Sequence, residues 1–273
     1  MVDKSVALVT SLTVALVVTL AAASVSATRA DLARARTLYN QRQFDGAIEA
    51  ALAAQKTPAT ADAATVVLGR AHLERYRERA DPADLSAARV ALGTVRAASL
   101  DARDHTDFLM ALGQALFFDD DYGAAAQLFE SALDSAISQG PASGEAMLDW
   151  WGSATERHAD GLARADRAVA FGRMRDRMAR ELARNPGSAA AGYWVAVATQ
   201  GAGDPSGAWD AAIAGWIRAR LASRRSANLR ADLDKLVLEG IIPDRVRLMS
   251  PDKRAQGESD LRAEWAVVKE RWK

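Results

Sequence analysis

The sequence predicts an all-α protein, an α-α superhelix of stacked antiparallel helix pairs closed by a C-terminal capping helix. Three observations predict it. From Thr28 onward the chain is dominated by Ala, Leu, Arg, Glu and Asp, all good or tolerable helix formers. Period-two runs of Val, Ile and Thr are missing, so strands have no support. The prolines, Pro58, Pro82, Pro141, Pro186, Pro205, Pro243 and Pro251, each stand near Gly, Asp, Asn, Ser or Thr and read as punctuation between helices.

The N-terminus precedes this pattern. Val6 to Ala23 is apolar apart from Ser and Thr and carries no charge, with Asp3 and Lys4 before it. Small residues at Val25-Ser26-Ala27 stand where signal peptidase cuts, so residues 1–27 read as a signal peptide and the product as periplasmic or secreted. The rival reading is an uncleaved anchor in the inner membrane over residues 6–23, because roughly 18 apolar residues can just span a bilayer. Membrane contact is expected only through this segment, if it is retained.

Residues 28–245 read as one helical-repeat domain. In the first pair, Ala35 and Leu38 stand on one helix, and Phe44, Ala47, Ala51 and Ala54 on the next. The second opens at Leu68-Gly69 and closes with Leu85, Ala88, Leu92 and Val95, with about seven extra residues around Arg77 to Ala83. The third, Leu109 to Leu133, is the clearest. Leu112-Gly113 and Leu116 lead to an acidic turn, Asp119-Asp120-Asp121, followed by Tyr122, Ala125, Phe129 and Ala132. Small residues let two helices approach closely, and the large ones fill the space beside them. In this pattern the segment resembles a tetratricopeptide repeat, whose Leu-Gly pair, turn aromatic and alanine–aromatic–alanine helix all have counterparts here.

Two further copies are looser. Trp151-Gly152 opens a fourth, with Asn185-Pro186 near its end, and Val195-Ala196 a fifth, with Trp209, Ala212 and Trp216 behind it. A single pair cannot bury its apolar face, so pairs must stack and the ends must be capped. Residues 246–273 supply a linker and that cap: Leu261, Trp265, Val268 and Trp272 fall at i, i+4, i+7 and i+11 on one helical stripe.

Composition narrows the chemistry. Thirty-five basic and thirty-five acidic residues give a formal net charge of zero, so a bulk basic footprint for nucleic acid is absent. The absence of cysteine excludes disulfides, thiolate metal sites and cysteine nucleophiles. His72, His105 and His158 are isolated, with no paired spacing for a metal. The acidic turn lacks the alternating ligands and central glycine of a calcium loop. Gly201-Ala202-Gly203 reads as a helix-ending turn, since no strand precedes it as a dinucleotide loop requires. No enzyme activity, cofactor or metal is expected.

The tetratricopeptide resemblance implies a non-enzymatic scaffold that binds a protein or peptide partner in the cell envelope. It implies that the first helix of each pair lines the binding face and places Arg34, Leu38, Arg70, Leu109 and Gln114 near it. The C-terminal half offers an alternative. Trp151, Trp194, Trp209 and Trp216 read either as core or as a pocket for a small ligand. Trp150 and Trp151 are adjacent and cannot both enter one seam. Residues 189–203 also resemble a helix of the periplasmic T-component of TRAP transporters, built of tetratricopeptide-like helix pairs, which work beside a substrate-binding protein. That similarity implies a transport accessory. Many of those proteins carry a lipid-anchor cysteine, which this chain lacks.

Overall fold

A computed structural model describes residues 30–221 and 226–272. The segment read as signal or anchor lies outside the described residues. Among the described residues there is no strand, and every element is helical. The chain divides into two compact units, one ending at Phe118 and the other beginning at Asp119. The division falls inside the span 28–245 that the sequence presents as one domain.

In the first unit α1 covers residues 30–40, α2 Phe44–Ala54, α3 Ala61–Arg79, α4 Pro82–Gly93 and α5 Ala102–Phe118, with a 3-10 turn at Ala97–Ser99. The predicted small-residue positions are where the helices meet. Ala35, Ala47, Ala51 and Ala54 have no exposure, and Phe44 is buried beside them. Gly69 faces Leu92 of α4 so closely that a Cβ there would come within 2.7 Å of it. The extra residues of the second copy lengthen α3, which ends where Ala80 turns left-handed at φ 54°. Pro82 then opens α4 and Asp81 caps it, accepting from the Ala83 N–H at 3.0 Å. First helices lie side by side here: α3 packs on α5 as well as on α2 and α4.

In the second unit α6 covers Tyr122–Ser138, α7 Pro141–Asp160, α8 Arg164–Arg184, α9 Ala189–Gly201 and α10 Pro205–Leu221. After them come α11 (Ser226–Lys235), a π-helical segment (Leu236–Ile241), α12 (Ile242–Arg247), a 3-10 turn (Pro251–Lys253) and α13 (Arg254–Arg271). The third repeat therefore straddles the two units, with Gly113 buried on α5 and Ala125, Phe129 and Ala132 buried on α6. Between these helices the acidic run forms the expected turn, with Asp120 left-handed at φ 62°. Gly201 ends α9 and Gly203 turns at φ 90°, also as expected.

Three of the seams in the second unit carry specific contacts. First, α7 is zipped to α9: Glu145 accepts the Ala190 N–H (2.9 Å), Asp149 accepts Trp194 Nε1 (3.1 Å), and Gly152 lies under the Trp194 ring. Second, α9 crosses α10 at Gly192 and Gly215, where a Cβ on Gly215 would stand 3.3 Å from the Gly192 carbonyl oxygen. Third, Trp209 and Trp216 of α10 meet Trp265 of α13 edge-on at 6.0 and 5.4 Å. Trp265 is fully buried, and its Nε1 donates to Asp234 at 2.7 Å. Each such ring stabilises by roughly 1.5–3 kcal/mol relative to exposure. Leu261, Trp265 and Val268 of the predicted capping stripe pack onto this cluster, while Trp272 is exposed.

One proline departs from its predicted role. Pro82, Pro141, Pro205 and Pro251 open helical elements, and Pro58 and Pro186 sit in turns, but Pro243 lies within a helical run from residue 226 to 247. A proline inside an α-helix lacks the N–H for its i−4 bond and clashes with that carbonyl. The π segment solves this. Its wider turn ends at Ile241, so Pro243 falls in the first turn of α12, where its missing donor is not needed.

Candidate functional site

Stripes on three successive helices of the second unit enclose an open groove of about 630 Å³. Gly123, Ala126, Gln127 and Glu130 come from α6 at i, i+3, i+4 and i+7. Trp151, Thr155 and His158 come from α7 at i, i+4 and i+7. From α8 come Val169, Ala170, Met174, the acids Asp166 and Asp176, and a line of arginines, Arg173, Arg177 and Arg180.

The floor is apolar and fixed. Trp151 and Met174 are buried, and Trp150 turns the other way to stack on Phe129 of α6 at 6.0 Å. The adjacent tryptophans are thus divided between groove and seam. Gly123 makes room for the His158 ring, since a Cβ there would fall 2.9 Å from Nδ1. Val169, half exposed, stands on the wall.

The arginine line is uneven in its attachments. Arg177 is held by Asp134 of α6 at 2.7 Å and pairs with buried Glu181 at 3.1 Å. That second approach is too bent to satisfy its Nε as a hydrogen bond. Arg173 and Arg180 are exposed and have no hydrogen bond or ion pair among the described residues. Two free guanidinium groups therefore flank an apolar floor, a combination suited to a segment carrying both apolar and carboxylate side chains. A second cleft of about 510 Å³ lies between α7, α8, the end of α9 and the π segment, and its lining is mostly charged. Among the described residues no group of His, Asp and Glu is placed to hold a metal ion, and no helix is long and apolar enough to cross a membrane.

The chain matches no known protein family, no curated protein and no solved structure.

The residues singled out from the sequence fall in several places. Arg34 is exposed on α1, and Leu38 is half-buried against α2. Arg70 is tied down in a bridge across three first helices. Its guanidinium lies 4.5 Å over the Tyr39 ring of α1 and pairs with Asp107 of α5 at 2.7 Å. Leu109 is half-buried, and Gln114 is fully buried with its Oε1 unpaired. Of the four tryptophans, Trp151 alone lines a described cleft. Trp194 is held in the α7–α9 seam, and Trp209 and Trp216 in the α10–α13 cluster under Arg245 and Arg230, so neither of the two described clefts is lined by more than one of the four.

Sequence reasoning missed the arginines of α8. Their spacing was visible, but a line of arginines on a helix normally reads as a solvated face. Only the placement of α6 and α7 beside it makes that face one wall of a groove.

Proposed function

We propose that this chain is an exported, non-enzymatic helical-repeat scaffold, similar to tetratricopeptide proteins, that binds a protein or peptide partner in the cell envelope. The observation that carries the reading is the open groove of α6, α7 and α8, with its buried Trp151 floor and the free guanidinium groups of Arg173 and Arg180. An open, mixed groove of this kind accommodates a chain segment that extends beyond it at both ends. The separation of the four tryptophans removes the support that a shared aromatic pocket would have lent to a small-ligand accessory.

The test is site-specific crosslinking in cells. A photo-reactive residue in place of Val169, in the full chain, is expected to trap one envelope protein. Arg173→Glu with Arg180→Glu is expected to abolish that adduct while helicity is unchanged. Arg34→Glu on the first unit is expected to leave it in place. An adduct that survives the double charge reversal, or a Val169 position that traps nothing, refutes binding in this groove. An adduct lost with Arg34→Glu instead returns the site to the first helices.

A further inference from the structure

Little holds the first two turns of α8 to the rest of the second unit. Residues 163–169 are all exposed, although they wall the groove on one side and the charged cleft on the other. The first buried side chain of the helix is Phe171, seated where Gly201 leaves space, since a Cβ there would lie 2.5 Å from the ring. From Phe171 onward Met174, Met178 and Glu181 are buried in turn. Ahead of it Arg167 bonds Asp160 at 2.9 Å and lies over the Phe171 ring at 5.5 Å. Arg167 and Asp160 are 44% and 52% exposed, and ion pairs in that setting contribute little.

Both ends of this stretch favour opening. Its N-cap is Ala163, extended at φ −61° and ψ 152°, which offers no side-chain oxygen to the N–H groups of the first turn. Asp81 and Ser188 make that bond for α4 and α9. At the other end stands Gly172. A Cβ there would meet nothing within 4 Å, so no close approach requires a glycine. Glycine is poorer than alanine inside a helix and much better than alanine at an N-cap. Gly172 therefore weakens the full-length helix and suits a shorter one that begins beside it, with Phe171 still seated on Gly201.

Packing of one face supplies most helical stability in a protein, and a helix shorter than about 12 residues is marginal alone. Two turns without a buried side chain or a cap, with a glycine at their base, have only the propensity of Ala165, Arg167 and Ala168 to keep them wound. A segment lying in the groove against Asp166, Val169 and Ala170 supplies the contacts they lack. Binding there is then coupled to folding of the wall, and the free energy of ordering it is subtracted from the affinity.

We propose that residues 163–170 form a conditionally folded flap, hinged at Gly172, whose order is set by occupancy of the groove. The coupling to a partner rests on the groove reading, whereas the flap is tested on the free chain. In hydrogen exchange of the full chain, corrected for intrinsic rates, the amides of Ala168, Val169 and Ala170 are expected to exchange at least about tenfold faster than those of Met174 to Met178. Ala163→Ser, which supplies the cap, is expected to slow those three amides about fivefold and to change Met174 to Met178 by less than about twofold. Gly172→Ala is expected to slow the same three amides about two- to fivefold. Uniform protection along α8 overturns the flap, as does an Ala163→Ser variant that slows none of the three amides or slows both sets alike. Unchanged exchange of the three in Gly172→Ala overturns the hinge. The coupling is read on a complex trapped through a photo-reactive residue in place of Gln127, on the α6 wall. There the three amides are expected to slow at least about tenfold, and unchanged exchange refutes the coupling and leaves the flap. If no groove position traps a partner, the coupling falls with the groove reading, and the flap stands or falls on exchange in the free chain.

Discussion

Arg75 is the most informative residue to perturb in the first unit. It lies on α3 between two acids of different helices. Its Nη1 donates to Asp45 of α2 at 2.7 Å, its Nε lies 2.9 and 2.8 Å from the two Asp84 oxygens of α4, and its Nη2 also pairs with Asp84. The Asp84 side chain is 3% exposed and Arg75 24%. Arg75→Met keeps the packing of the stem and removes the charge. Asp84 is then left with His72 as its remaining partner, at 2.8 Å. Breaking one side of a fully buried pair costs about 3–5 kcal/mol. Because Arg75 is partly solvated and His72 remains, about 2–3 kcal/mol is expected here. In hydrogen exchange this is a loss of protection of roughly 30- to 160-fold for amides of α3 and α4. The double variant Arg75→Met/Asp84→Leu removes both charges from the site and is expected to recover most of that loss, since a buried pair is often replaceable by apolar side chains. Protection within about threefold of wild type in the single variant, or a double variant as labile as the single, refutes the account of Arg75 as a charge clamp on Asp84.

Two further outcomes follow from the same structure. Gly152→Ala places a Cβ 2.3 Å from the Trp194 ring, which cannot retreat without losing its bond to Asp149. A loss of about 1–3 kcal/mol is expected in urea unfolding, with a shifted tryptophan emission, and an unchanged midpoint contradicts the α7–α9 seam. Acid acts on the first unit through depressed carboxyls. The Arg75 hydrogen bonds hold Asp84 below its ordinary range, and Ser99, then Arg96, do the same for Asp62. A depressed folded-state pKa stabilises above the unfolded value of about 3.9 and ceases to do so as pH falls through the folded value. Stability read from urea midpoints should therefore hold from neutral pH down to about pH 4–5 and decline below it. Asp84→Asn should lower the neutral-pH midpoint and flatten that decline, and an equally steep acid limb in the variant counts against the assignment.

Much of the fold was legible because close helix packing leaves a direct mark in sequence. Phe44, Ala47, Ala51 and Ala54, or Ala125, Phe129 and Ala132, can recur at helical spacing only if one face is crowded, and all are buried. Gly69 was legible for the same reason. The partners of the small residues were not. Gly152 serves Trp194 two helices later, and a close backbone crossing lies at Gly192 and Gly215, away from the Ala196 marker. A small residue announces that something approaches but does not say what, because the approaching group lies tens of residues away. The same limit hid the candidate sites. Arg173, Arg177 and Arg180 are regularly spaced, and Asp45, Arg75 and Asp84 read as surface charge until three helices converge on them.

Pro243 shows that a local rule can fail for a local reason. The sequence around it, Gly240-Ile241-Ile242-Pro243-Asp244, has the turn residues on both sides that mark a break. What overrides the break is apolar burial: Val237, Ile241 and Ile242 are wholly buried in the cluster with Trp209 and Trp265, and ending the helix before Pro243 would pull them from it. Keeping three large apolar side chains in place is worth several kcal/mol, at roughly 1.5–3 kcal/mol each. Interrupting an α-helix at proline costs about 3 kcal/mol. Widening one turn keeps the burial and avoids the clash, so the helix continues through a π segment. That widening brings Gly240 against Gln200 and sets Asp244 beside it, so the charged cleft has a wall there as a consequence of how the core accommodates one proline.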